Sequence, residues 1–243
     1  SDSFSYPVIK ALAERKDIFA NLGGFSGNMF TVGPPSEPIL TPGAWVSGGF
    51  FPALEVQPIA GRLLAPEDDK PGAPLVVVIS DSYWERKFHR DPSAIGGTLP
   101  VDGHSAVIVG VTPRGFTGAT VGENPEITMT FQALALLAPD RPDLLQAGNQ
   151  FNRIIARLVP RLSLAQARAR LRVIWPGIAE VSVTPKTPAR RRQAMLASMI
   201  DLAPGGKGWT PLRRQYAKPL YILISISGLV LLVACANVAN LLL

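Results

Sequence analysis

The chain has 243 residues, enough for a packed core. Its 47% hydrophobic content and net charge of +6 average over two regimes, an ordinary globular composition up to residue 218 and an uncharged apolar run after it. Its one cysteine, Cys235, lies inside that run, which excludes a disulfide framework for the remainder. In chain order, Tyr6 to Asp17 place Val8, Ile9, Leu12 and Ala13 on one side and Lys10, Glu14, Arg15 and Lys16 elsewhere, predicting a short amphipathic helix that covers a sheet. From Gly23 to Gly49, glycine and proline recur among short apolar pieces, Asn28 to Val32 and Ala44 to Ser47. That pattern predicts short strands joined by tight turns and no helix of useful length.

Leu75 to Ser80 (LVVVIS) is a continuous β-branched run of the kind buried on both faces, and Asp81 is expected to cap a helix from Ser82 to His89. Asp102-Gly103 lies between Thr98 to Val101 and Ser105 to Val111, a hairpin whose turn takes positive φ at low cost. Glu126 to Phe131 predicts a strand, followed by a loop from Pro139 to Asn149 that marks a lobe boundary. Arg153 to Val159 is expected as a strand. Ser163 then caps a helix that lines up Leu164, Ala167, Leu171 and Ile174 or Trp175 and ends at Pro176-Gly177. A strand at Val181 to Thr184, a basic helix from Ala189 to about Met199 and a strand near Ile200 to Ala203 are expected to complete this part.

Pro219 to Leu243 carries no charged residue, and from Tyr221 its roughly 23 residues would span about 34 Å as a helix, against a hydrocarbon core of roughly 30 Å. A transmembrane helix is expected there. Thr210 as N-cap and Pro211 at the first helical position start a stalk helix, and Pro219 inside it favours a kink where the chain enters lipid. Asn237 and Asn240 share a face with the small Ala234, so that face is expected to pack against another helix. Basic residues gather before the run, among them Arg190, Arg191, Arg192, Lys207, Arg213, Arg214 and Lys218, as suits anionic headgroups. With a start at Ser1 and an end inside an apolar run, the chain is expected to be a fragment of a longer polypeptide.

Motifs for chemistry are weak. APGGKGW around Lys207 has Gly208 where a phosphate loop needs Ser or Thr and Asp201 where it needs its first Gly; Asp81, Ser82 and Tyr83 replace a dinucleotide-binding turn. His89 and His104 form no ligand pair, and Ser47 in VSGG lacks the glycine of a nucleophile elbow. The acidic cluster Glu67, Asp68, Asp69 has the composition of a calcium loop, but a solvated turn or a partner for Arg62 explains it better. No catalytic, cofactor-binding or metal-binding residue is assigned.

Five strings together carry a family resemblance: FSYPVIKALAERKDIFANLGGF, WVSGGFFPALEVQPIAGRLLAPEDD, VVVISDSYWERKFHRDPSAIGGTLPVDGHSAVIVGVTPRGFTG, RIIARLVPRLSLAQARARL and LRRQYAKPLYILISISGLVLLVACANVANLLL. The chain resembles the MacB-like periplasmic core domain of FtsX-type ABC transporter permeases, in particular the duplicated acidobacterial type. The resemblance implies an α+β fold, with two mixed α/β lobes followed by a stalk and transmembrane α-helix. Residues 1–209 would form the periplasmic domain, with lobes 1–48 plus 145–209 and 49–144, and 210–243 would open the permease domain. Between Leu171 and Met199 the chain is shorter than that pattern, implying an abbreviated or rearranged second lobe. The implied function is to couple cytoplasmic ATP hydrolysis, on a separate ABC ATPase subunit, to export or mechanical work in the periplasm. The implied partners are that ATPase, a second permease unit, the lipid bilayer of the inner membrane and a periplasmic protein, with no nucleic acid; residues 1 to about 218 would be periplasmic. A membrane-anchored sensor or ligand-binding module is the alternative from another class.

Overall fold

The computed structural model describes residues 3–185, 187–206, 208 and 223–228. Helix α1 (Tyr6–Ala13) begins with Pro7 in its first turn and buries Tyr6, Val8, Ile9 and Leu12, as the spacing predicts. Two long strands come next, β1 (Phe19–Val32) and β2 (Ile39–Val46), in place of several short ones. Glycines inside β1 do not turn the chain there. Gly23 sits under the five-residue helix α2 (Phe50–Leu54): a Cβ on Gly23 would stand 2.3 Å from the Phe50 Cα, and one on Gly49 would stand 2.1 Å from the Leu22 carbonyl oxygen. Absent side chains are thus what let α2 cross the strand.

After the two-residue strand β3 (Ala60–Gly61), β4 (Val76–Ile79) is buried at every position, and its odd and even residues feed two different cores. Helix α3 (Asp81–Phe88) starts one residue earlier than expected, because the Ser80 Oγ, not the Asp81 carboxylate, accepts from the Tyr83 N–H. Asp81 instead binds the Arg90 guanidinium through both oxygens, at 3.0 and 2.9 Å. Strands β5 (Thr98–Val101) and β6 (His104–Val111) form the expected hairpin, with φ of 47° at Asp102 and 79° at Gly103. Next come β7 (Ile127–Thr130), the one-turn α4 (Leu134–Leu137) and β8 (Arg153–Leu158).

Helix α5 (Leu164–Glu180) has the Ser163–Gln166 capping box and runs through Pro176 instead of ending there. The carbonyl that Pro176 leaves unpaired belongs to the exposed Arg172, where water can serve it. Two expected strands are absent. Residues 181–183 continue from α5 in consecutive turns, their N–H groups donating to the carbonyls of Ile178, Ala179 and Glu180, while Thr187 Oγ1 accepts from the Thr184 N–H at 3.0 Å, and 200–203 is irregular. The basic helix α6 (Ala189–Leu196) ends three residues before the expected Met199.

All eight strands lie in one sheet. The pairings β1–β2, β2–β7, β7–β4, β4–β6, β6–β5 and β5–β1 return to their start, so six strands form a ring, with β8 along the first half of β1 and β3 on β6. Pairs β2–β7 and β4–β6 are parallel and the others antiparallel. The closing contact is small: Val32 opposite Val101, with Asp102 N–H to the Thr31 carbonyl at 2.7 Å and Thr31 N–H to Asp102 Oδ1 at 2.8 Å. Strands from both expected lobes share this sheet, β1, β2 and β8 from the first and β3–β7 from the second. One core, including Phe30, Trp45, Ile79, Ile127 and Phe131, lies against α1 and α5; the other, around Phe25, Phe50, Phe51 and Val78, lies under α2 and residues 116–119.

Candidate coupling surface

The two flanks of the domain are tied together at a buried clasp. The Phe4 N–H donates to the Asn152 carbonyl at 2.7 Å, and the Phe4 carbonyl accepts from the Asn152 N–H at 3.2 Å and its Nδ2 at 3.1 Å. Asn152 is fully buried. The Phe4 ring meets Trp175 of α5 edge-on, 6.2 Å between centroids, and Arg170 Nη1 of α5 donates to the Asp17 carbonyl at 2.7 Å. The segment that enters the domain and the helix that leads out of it are therefore fastened to the same flank of β1.

Helix α5 also grips the segment C-terminal to α6. Trp175 Nε1 donates to the Ser198 carbonyl at 2.8 Å, and about two helical turns earlier Arg168 Nε donates to the Leu202 carbonyl at 3.0 Å while pairing with Asp201 at 2.8 Å. Residues 197–206 thus form a strap whose carbonyls are held by side chains instead of a strand ladder. Beneath it Ala167, Leu171, Trp175, Ile178 and Ala179 are buried in the main core, so the strap rests on a helix that is itself packed against the sheet.

A second junction joins α1 to the turn before α2. Asp69 Oδ2 accepts from the Tyr6 hydroxyl at 3.0 Å and the Gly48 N–H at 3.1 Å, Oδ1 accepts from the Gln132 N–H at 3.2 Å, and Gln132 Nε2 donates back to Tyr6 at 3.2 Å. Burial pushes the Asp69 carboxyl up to about 6 against the lowering pull of those donors and of Lys10; burial, then the Asp69 charge, pushes Tyr6 well above its usual range. Its neighbour Asp68 is the partner expected for Arg62, at 2.6 Å; burial opposes ionisation, yet Arg62 and the Ala65 N–H hold its carboxyl below the usual range.

The remaining sequence candidates are dispersed. His89 and His104 are exposed, and the Ser47 Oγ is taken up as acceptor for the Gly24 N–H at 2.8 Å. No group of acidic, His or Cys side chains able to hold a metal is present among the described residues. A pocket of about 20 Å³, the size of one water, lies between Phe25, Phe50, Phe116 and Glu123. Thr210, Pro211, Pro219, Ala234, Asn237 and Asn240, singled out for kinking and helix packing, lie outside the described residues, as does Lys207. Among the described residues no helix is long and apolar enough to cross a membrane. Sequence reasoning placed Trp175 on the buried face of its helix but missed the roles of Asn152, Arg168 and Asp69, whose partners are 21 to 148 residues away.

A mixed α/β domain on a ring-closed sheet, with its entering and leaving segments clasped on one flank, is the class of structure these elements define. The profile of the MacB-like periplasmic core domain matches residues 1–174, and the chain belongs to that family. Its fold is shared by the periplasmic region of MacB from Actinobacillus actinomycetemcomitans, at 12% identity and TM-score 0.55 over 73% of this chain and 75% of that one. It is also similar to the extracellular domain of the noncanonic ABC-type transporter YknZ from Gram-positive bacteria, at 16% identity and TM-score 0.50 over 70% and 82%. A domain of a putative permease from Porphyromonas gingivalis gives 14% identity and TM-score 0.54 over 79% and 76%. No curated protein matches the chain in sequence. The chain is therefore a MacB-like periplasmic core domain, and its fold is that of the three solved domains.

Proposed function

We propose that this chain is the periplasmic and first-following transmembrane part of a permease subunit that converts cytoplasmic ATP hydrolysis into export or mechanical work in the periplasm. The observation that carries this reading is the clasp. Phe4, Asn152, Trp175 and Arg168 hold both flanks of the domain on one side, where a shift of an attached helix reaches the strap at Ser198 and Leu202, then α5, then the sheet. In this reading residues 210–243 are the stalk and membrane helix, kinked at Pro219 and packed through Ala234, Asn237 and Asn240 against companion helices. Hydrolysis belongs to an ABC ATPase on a separate subunit, a second permease unit completes the transporter, and a periplasmic protein receives the work; the chain itself catalyses nothing. It sits in the bacterial inner membrane with residues 1 to about 218 outside the cytoplasm.

The test uses intact cells and a cysteine placed at Thr210 in a Cys235→Ala background. Labelling by an impermeant maleimide from the periplasm is expected; labelling from the cytoplasmic side alone refutes the topology. Loosening the strap with Trp175→Phe, which keeps the ring packing and removes the donor to the Ser198 carbonyl, tests the coupling, since it should alter ATPase stimulation by the permease without abolishing assembly.

A further inference from the structure

Charge is segregated along this chain to a degree its net value hides. Residues 151–218 carry 14 Lys or Arg against 2 Asp or Glu, whereas residues 1–150 carry 10 against 16. The two acids of the basic part give little relief: Asp201 is already paired with Arg168, and Glu180 is the last residue of α5. Arg172, Arg190 and Arg192 are exposed and have no ion-pair partner among the described residues. Basic residues next to a membrane span on its outer side work against the usual orientation bias, so an excess of this size needs a compensating role.

The same stretch of chain exposes apolar groups that a purely solvated segment would not need. Val173 on the outer side of α5 is 80% exposed and Met199, next to the strap residue Ser198, is 73% exposed. Along α6, Ala189, Arg192, Gln193, Leu196 and Ala197 line one open hollow at helical spacing. Guanidinium groups flanking aliphatic ones are the composition of a surface that lies in a headgroup layer, with the arginines at phosphates and the aliphatic groups just below. The covalent tether fixes where this surface can go. Thirteen peptide steps separate Gly208 from Tyr221, where the membrane run begins, a reach of at most about 45 Å even fully extended.

We propose that the outer face of α5 and α6 docks on the anionic phospholipid surface of the membrane in which the chain is anchored, with Arg172, Arg190 and Arg192 at lipid phosphates and Val173 and Met199 in the interface. This rests on the membrane reading of residues 221–243. The acidic first 150 residues are repelled by the same surface, so the two charge domains fix the tilt of the domain together. Docking and undocking of this face then give the strap a lipid-dependent resting position.

The test uses the full chain in nanodiscs, one copy per disc, with Cys235→Ala and a single environment-sensitive fluorophore at Val173→Cys, Met199→Cys, Leu40→Cys or Ser227→Cys. In discs of neutral phosphatidylcholine the 173 and 199 labels should report water. In discs with about one third phosphatidylglycerol they should shift to an interfacial signal quenched by headgroup-level quenchers, and molar salt should reverse the shift, while the label on the exposed Leu40 stays in water throughout. Arg190→Gln with Arg192→Gln should lower the docked-to-free ratio about thirtyfold, taking about 1 kcal/mol per arginine. Unchanged signals at 173 and 199 with a lipid-buried label at 227 overturn the docking alone; a 227 label in water overturns the membrane reading with it. Protection that ignores lipid charge, or that needs two copies per disc, also overturns lipid docking.

Discussion

Replacing Trp175 separates packing from grip. Its indole is 8% exposed, meets Phe4 edge-on and donates to the Ser198 carbonyl at 2.8 Å. Trp175→Ala removes all three contributions and opens a cavity in the main core, a loss of about 4 kcal/mol. For a domain of this size that is a fall of about 8 to 16 °C in melting temperature. Trp175→Phe keeps most of the ring packing and loses the donor, about 1 kcal/mol, or about 2 to 4 °C. The grip predicts a local signature beyond the thermal shift: hydrogen exchange across 197–206 should speed up about fivefold in Trp175→Phe while β4 and β6 stay protected. Calorimetry of the full chain in detergent and peptide-resolved exchange measure both. If Trp175→Phe left the strap as protected as wild type, or accelerated exchange evenly through the sheet, the strap would not be held by the indole and the route from strap to α5 would be wrong.

Asp69 should make the domain less stable as pH rises. Its folded-state pKa of about 6 lies above the unfolded value near 3.9, so the folded state holds a proton the unfolded state has lost, and about 3 kcal/mol disappears between roughly pH 4 and pH 6. Asp68 and Asp81, whose pKa values are lowered, act with the opposite sign below that window, so denaturant unfolding at pH 4, 5, 6 and 7 isolates Asp69; an unchanged slope in Asp69→Asn would acquit it. Gly49→Ala should cost about 3 kcal/mol or more, because the new Cβ meets the Leu22 carbonyl at ordinary negative φ. Gly72→Ala has open space and should cost only about 1 kcal/mol, from its φ of 79°; paired thermal melts decide. Arg62→Ala strips the buried Asp68 of its bidentate partner and should cost about 2 kcal/mol, recovered in part by adding Asp68→Asn.

Where one local rule acts alone, the sequence was legible. The β-branched run of β4, the Asp102-Gly103 hairpin and the Ser163 capping box each appear where their residues demand. Misreadings arose where tertiary contacts reuse a residue that has another meaning in isolation. Gly23 and Gly24 read as turn formers, yet they lie inside a 14-residue strand because α2 and the Ile9 side chain occupy the space a Cβ would fill. The alternation Val181, Ser182, Val183, Thr184 has a strand's period, but the carbonyls at the end of α5 and, for Thr184, the hydroxyl of Thr187 offer its backbone nearer partners. The clasp was largely illegible: nothing local to Asn152 or Asp69 names partners 148 or 63 residues away. Resemblance to a family supplied what periodicity could not, namely the family of the domain as a whole.

The distribution of contacts also says where this domain can yield. Six strands closed into a ring cannot slide past one another without breaking ladder bonds on both sides, so the sheet resists shear as a unit. The weakest point of that ring is the β1–β5 closure, one strand pair plus three main-chain-linked bonds near Val32 and Val101. Residues 181–206 are held far more lightly, by Thr187, Trp175 and Arg168 with Leu196, Ile200 and Leu202 only partly buried. Bonds to single carbonyls contribute about 1 kcal/mol each, so the strap and α6 open at a small fraction of the free energy needed to disturb the ring. A stiff body with one compliant segment therefore yields first in the strap, while the ring keeps its register.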